Sequence, residues 1–275
     1  MNTSGGAPTQ ELSQSTIACS SDKFLANCSN VSKSLWAKTG DDEQWMNLPQ
    51  HMADSMCAAG YVWADWLADS VKIALCRFTG LEVGEVQRLY LFLAFGHDLG
   101  KAHPDFSGMA IKIPGQGHLA EAVEDAGLSL HCMHERTDER WLPHGRSSGY
   151  IMRTNLTGLG YSPRLANALG SVVEAHHGIS SAVKWKNLDS SFRRLPDEWK
   201  SVQTELFEGV YLATDVEQVL KTLEVNGKDL NADALQLLTG LVVMADWIAS
   251  NTKAFPLQIE GGRLRPIVWC TATAW

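Results

Sequence analysis

His97 and Asp98 stand side by side at the end of an apolar run, in the stretch LAFGHDLGKAHPDF, and Gly100 and Lys101 follow at once. Adjacent helical residues point about 100° apart, because a helix has ~3.6 residues per turn. Such a pair can touch two ions, or one ion from two sides. His51 lies upstream, and His144, His176 and His177 lie downstream. Asp246 sits in the late apolar stretch LQLLTGLVVMADWIASN with no Lys or Arg within a turn. A buried carboxylate without a cationic partner is expensive, and the usual remedies are a metal ion or protonation. Imidazole and carboxylate without thiolate suit divalent manganese, nickel, cobalt, iron, magnesium or zinc, with a transition metal favoured, and argue against a structural zinc clip. His51, His97, Asp98, His144, His176, His177 and Asp246 are too many ligands for one ion and suit two, with Asp98 as the bridge. Two ions about 3.5–4 Å apart serve phosphodiester hydrolysis by activating a water and neutralising developing charge.

Each residue also has an ordinary reading. A histidine near a helix end is commonly a cap, and His-His-Gly at a helix C-terminus suits the helix dipole. The metal reading rests on the joint occurrence in this order. His118, His131 and His134 share the histidine-rich context without a supporting pattern, and His134-Glu135 is the rival for the place given to His144.

The elements that must position these residues are helical. Pro49 opens a helix that runs through Ala68 and carries His51 in its first turn. A second spans Glu82 to Leu99, with Val83, Val86, Leu89, Leu93 and Phe95 on buried faces and Gly100 as its cap. His103 to Gly117 reads as a loop, and a short helix follows from Leu119 to Ala126. Pro143 starts a helix that reaches Leu156. Ser162-Pro163 starts another that stops at His176-His177-Gly178. Residues 184 to 203 read as a short polar connection. Asn231 or Asp233 caps a last long helix, apolar nearly all round and therefore expected to be central and buried. The tail GGRLRPIVWCTATAW is more strand-like. The expected fold class is all-α, with minor irregular or short-strand segments.

Composition narrows the function classes. The 275 residues are 45% hydrophobic, enough for a large core. Six scattered cysteines without a CxxC, and an N-terminus without an apolar signal region, read as reduced thiols in a cytoplasmic protein. No apolar run of ~18 residues predicts a membrane span. The net charge of −8 makes the chain a poor non-specific nucleic-acid binder, so a polyphosphate substrate needs local metal charge.

The residues also carry a resemblance. The set His51, His97-Asp98 and Asp246 matches the H…HD…D minimum of the HD superfamily. HDLGKAHPDF, PHGRSSGY, AHHG, ADWIASN with Phe255-Pro256, and LWAKTG resemble finer marks of one branch: the HD nuclease domain of the CRISPR-associated helicase–nuclease of type I systems. The resemblance covers about residues 33 to 257. It implies a helical bundle around a two-metal site. One ion would be held by His51, His97, Asp98 and Asp246, the other by Asp98, His144, His176 and His177. It favours His144 over His134 as the third-motif histidine. It implies endonuclease and 3′-to-5′ exonuclease action on single-stranded DNA, with Asp98 and Lys101 as catalytic groups. Lys101 would face the scissile phosphate, and Lys101, Ser250 and Asn251 would contact substrate.

The division expected is an irregular or flexible segment over 1–33, the HD nuclease domain over 34–257, and a C-terminal segment over 258–275 leading towards a helicase. The chain has no GxxxxGK[ST] loop and no DExH box, so a helicase module is expected as a partner, in cis or in trans. An RNA-guided effector complex is the expected assembly, with no membrane partner. Two rival functions are an HD-type phosphohydrolase acting on nucleotides or cyclic nucleotides, and a non-catalytic docking module of the effector complex.

Overall fold

The computed structural model describes residues 10–40, 44–130, 142–177, 185–227 and 230–257. His131, His134 and the strand-like tail lie outside them. The regular structure of the described residues is helical apart from one two-stranded antiparallel sheet, β1 (Trp36–Thr39) and β2 (Trp45–Asn47).

The segment expected to be irregular is instead largely helical from residue 14. Ser13 caps α1 (Gln14–Asn27), and Ser29 caps α2 (Asn30–Ser34). The Ser/Thr-rich composition hid a sparse apolar stripe, Ile17, Phe24 and Leu25, buried with Ser21 between. Two glycines let α1 pack closely. A Cβ at Gly60 would come within 2.8 Å of Ile17, and one at Gly209 within 2.7 Å of Phe24.

Asn47 caps α3 (Leu48–Tyr61) by accepting from the Gln50 amide at 2.8 Å, with Pro49 in the first turn. A π-helical turn, Val62–Trp66, follows. Next come α4 (Asp69–Thr79), stopped by Gly80 at φ +73°, and α5 (Val83–Gly96), opened by a reciprocal Glu82/Glu85 capping box. A 3₁₀ turn Leu99–Lys101 follows His97-Asp98, and the loop expected over His103 to Gly117 contains α6 (Pro104–Ser107) and a 3₁₀ segment Gly108–Lys112 instead. The His103 ring accepts from the Asp105 amide, which lets Pro104 start a helix where composition suggested only a loop. Then come α7 (Gly117–Asp125), α8 (His144–Gly158), α9 (Pro163–Glu174) and a 3₁₀ turn, Ala175–His177. The supposed polar connection contains α10 (Trp185–Arg193) and the start of α11 (Asp197–Ala213), anchored by the buried Trp199. The chain closes with α12 (Glu217–Asn226) and α13 (Ala232–Ala249), capped by Asn231.

The central element is α5, not α13. Leu89, Tyr90, Leu91, Phe92, Leu93 and Phe95 are all fully buried, and α3, α4, α9, α11, α12 and α13 pack around them. α13 buries one face, Leu238, Leu241, Val242, Ala245 and Asp246, and leaves Trp247 71% exposed on the other. Apolar composition alone did not distinguish a central helix from a flanking one. By length and composition α13 could cross a bilayer; here it lies on α3, α5 and α9, and the Tyr90 hydroxyl donates to its Leu241 carbonyl at 2.9 Å.

Candidate metal centre

Three helices deliver the first ligand group. α3 presents His51, the C-cap of α5 presents His97, and the last turn of α13 presents Asp246. His51 Nε2 is 2.9 Å from Asp98 Oδ2 and 3.4 Å from Asp246 Oδ1. His97 Nε2 is 3.3 Å and 3.4 Å from the same two oxygens. The other nitrogen of His97 lies 2.7 Å from the Ala94 carbonyl, an arrangement that aims Nε2 inwards. Asp98 itself has φ −103° and ψ 11°, outside regular helix, where the chain turns from α5 into the 3₁₀ turn.

α8 and the turn after α9 bring the second group. His144 begins α8, and His176 and His177 end the turn. His144 Nε2 is 3.4 Å and His176 Nε2 3.6 Å from Asp98 Oδ1, the oxygen that the first group does not use. His176 Nδ1 sits 2.5 Å from the Val173 carbonyl, repeating the orientation seen at His97. His144 and His177 meet at 2.7 Å between Nε2 atoms. Within each group, His51/His97/Asp98/Asp246 and His144/His176/His177, one donor atom per residue lies within 4.8 Å of every other. Asp98 stands between the groups with one oxygen towards each.

The donor set fits divalent cations. His97 Nε2, Asp98 Oδ1 and His176 Nε2 are buried without a hydrogen bond of proper geometry. An unsatisfied buried polar atom costs about 1–3 kcal/mol, and more if charged. A cation between them would relieve three such atoms converging from separate elements together.

Gly100 makes the second group reachable. It is not a left-handed cap, because no positive φ occurs there. Its amide donates to Ser148 Oγ at 2.8 Å, and a methyl group at its Cα would overlap the His144 carbonyl oxygen and the Ser148 amide nitrogen. The chain after Asp98 therefore runs directly against the first turn of α8.

The protonation states reflect a centre built for positive charge. Burial alone would raise the Asp98 carboxyl, but Lys101 and His97 hold it well below its ordinary range. Asp246 is likewise depressed: burial opposes, and His51 and His97 prevail. Burial would lower His97, yet Asp98 and Asp246 hold it at about 9 against an ordinary 6.5. Burial pushes His51 down, His144 to about 4 and His176 to about 3. In ion-free protein the unfolded chain therefore binds more protons than the fold between about pH 4 and 6.5, so stability rises with pH there. Between 6.5 and about 9 the fold keeps the His97 proton that the unfolded chain has lost, so stability falls. Thermal melts of chelator-treated protein should show Tm highest near pH 6.5. A Tm that climbs steadily from pH 7 to 9 would contradict this balance.

The expected substrate-side residues differ in exposure and in what they hold. Lys101 is 6% exposed. Its Nζ is 2.7 Å from Asp98 Oδ2 and donates to the Ala37 carbonyl at 3.0 Å. Ser250 Oγ donates to Asp246 Oδ1 at 2.8 Å. Asn251 is exposed, and its side chain accepts from the Lys253 amide, closing the turn after α13. The sequence reading missed Lys38 on β1, whose Nζ lies 3.8 Å from Asp246 Oδ1 and donates to Ser250 Oγ. It stands inside LWAKTG, but a lone lysine carries no signal until its strand is placed.

A helical bundle that closes a His, His-Asp, Asp set around a buried cation centre defines an HD domain. The family described as "Cas3, HD domain" matches residues 36–255, and the chain belongs to that family. It is 26% identical over 249 residues to the CRISPR-associated nuclease/helicase Cas3 of Streptococcus thermophilus, covering 83% of this chain and 26% of that protein. It is 31% identical over 161 residues to the CRISPR-associated endonuclease/helicase Cas3 of Thermus thermophilus, covering 58% of this chain and 16% of that one. The chain thus spans about a quarter or less of the length of these relatives. Its fold matches the crystal structure of the Thermus thermophilus Cas3 HD domain in the presence of Ni²⁺. The TM-score is 0.54 at 24% identity, over 83% of this chain and 81% of that one.

Proposed function

We propose that this chain is a metal-dependent nuclease that cuts single-stranded DNA, internally and from 3′ ends, in type I CRISPR interference. The observation that carries the reading is the division of the Asp98 carboxylate: Oδ2 serves His51 and His97, and Oδ1 serves His144 and His176. A single buried carboxylate so divided supports two cations side by side, the arrangement suited to phosphodiester hydrolysis. One would be held by His51, His97, Asp98 and Asp246, the other by Asp98, His144, His176 and His177. When bound, they supply an activated water and neutralise charge on the phosphate.

The chain's own residues do the rest. Ala94 and Val173 carbonyls orient two imidazoles. Lys101 holds Asp98 and keeps a positive charge beside the reacting phosphate. Ser250 holds Asp246. His177 lies at the solvent edge, which is the side open to a strand. Residues 34–257 constitute the nuclease domain. The lengths and names of the relatives support a helicase module, in cis or in trans, as the source of that strand. An RNA-guided effector complex in the cytoplasm is the setting proposed for it.

The test is cleavage of circular single-stranded DNA by purified protein, with chelator and then with manganese, nickel, cobalt, magnesium or zinc. Cutting only with metal is expected. Ions that bind without any cut, beside phosphate released from nucleotides, would replace this reading with a nucleotide phosphohydrolase.

A further inference from the structure

Lys38 lies outside the HD pattern, yet the fold places its ammonium at the metal centre. The pairing of β1 with β2 is irregular between Trp36 and Lys38, and a bulge of this kind bends a strand and re-aims its side chains. Trp36 fixes the strand by donating from Nε1 to the Ser107 carbonyl at 3.1 Å. Lys38 Nζ then reaches Asp246 Oδ1, the oxygen that His51 and His97 also face, directly at 3.8 Å and through Ser250 Oγ. The two lysines of the centre are held differently. Lys101 is clamped between Asp98 and the Ala37 carbonyl, with its side chain 8% exposed. Lys38 has 21% exposure and a side-chain route to solvent.

We propose that Lys38 is a two-position lysine: it covers Asp246 while that carboxylate holds no ion, and turns to the backbone phosphate of single-stranded DNA when it does. The inference rests on the nuclease reading above. Asp246 Oδ1 cannot serve an ammonium and a divalent ion equally well, because the two cations repel strongly at such separations in a low-dielectric site. Lys38 leaves more easily than Lys101, since it is more exposed, 21% against 8%, and lies 3.8 Å from its carboxylate against 2.7 Å. Ser250 keeps its bond to Asp246 throughout and so preserves the carboxylate's orientation. The released ammonium is a point charge suited to phosphate.

The experiment uses the full chain with Lys38→Met, Lys38→Gln and Lys38→Arg, each checked by thermal melting. Manganese titration without DNA should show the Met and Gln variants binding the first ion about tenfold tighter, because no ammonium has to leave. The Arg variant should stay near wild type. Binding of a phosphorothioate single strand with manganese present should lose about 0.7 from the slope of log affinity against log salt in the Met and Gln variants, the value for one phosphate contact on a single strand. Arginine should restore it. Wild-type ion affinity or an unchanged salt slope in both neutral variants overturns the proposal. A wild-type chain that binds ions but neither binds nor cuts single strands overturns the nuclease reading and the phosphate half together. A wild type that cuts DNA beside neutral variants of unchanged slope overturns the proposal alone.

Discussion

Replacing Asp98 by alanine should lower metal-dependent cleavage by at least about 10³-fold and reduce the number of ions bound. Each factor of ten corresponds to about 1.4 kcal/mol of barrier, so the loss amounts to about 4 kcal/mol of charge stabilisation. No other ligand should match this effect, because no other faces both groups. His51 and His97 lie on its Oδ2 side, and His144 and His176 on its Oδ1 side. The substitution also strands Lys101 and His97 in a buried place, and breaking such a pair costs about 3–5 kcal/mol of stability. Asp98→Asn separates the two effects. It keeps the shape and one acceptor oxygen, so it should fold better than the alanine variant while binding ions poorly. Manganese titration beside the cleavage assay reads both quantities. An alanine variant that cuts within tenfold of wild type, with undiminished ion stoichiometry, would sink the bridging role.

Gly100→Ala should be the most damaging substitution of a residue that bears no chemistry. The added methyl group would meet backbone atoms, the His144 carbonyl oxygen and the Ser148 amide nitrogen, with Ser147 Cβ at 2.7 Å besides. A flexible side chain could yield, whereas the first turn of α8 cannot move without taking His144 with it. Overpacking of a tight site costs about 1–3 kcal/mol, and backbone overlap belongs at the upper end or beyond. At about 2–4 °C per kcal/mol for a chain of this size, the expected drop in Tm is about 6–12 °C. Ion binding should suffer selectively. The His51 group lies on α3, α5 and α13 and should keep its affinity, while the His144 group loses its register with Asp98. Equal loss at both groups, or no loss of stability, would show that α8 is not held by this contact.

The glycine illustrates what periodicity cannot supply. A Gly two residues after His-Asp has an obvious local explanation as a helix cap, and the local explanation is the wrong one. The actual cause is the backbone of α8, 48 residues later in the chain at Ser148. Lys38 failed for the same reason from the other side. Its type was visible, but its direction depends on an irregular strand pairing and on where α13 ends. α1 was lost to composition, because a stripe as sparse as Ile17, Phe24 and Leu25 gains meaning only once Gly60 and Gly209 offer surfaces close enough to bury it.

Much was settled by residue types and order alone. The caps at Asn47, Ser162 and Asn231 formed as local hydrogen bonding requires, since each needs only its own next turn. The all-α class follows from apolar spacing in α5 and from helix starts at Pro49 and Ser162-Pro163. The candidate ligand types followed from chemistry, imidazoles and carboxylates without thiolates and one aspartate in an apolar helix that no nearby lysine in sequence could neutralise, while the choice of His144 over His134 came from the resemblance. How those ligands divide was implied by the resemblance, but its physical cause lies in the tertiary structure. Asp98 faces both groups because α5 ends where α8 and the turn after α9 cross it. Those crossings are fixed by packing between segments distant in the chain, where contact energy depends on shape in space and leaves no period in the sequence.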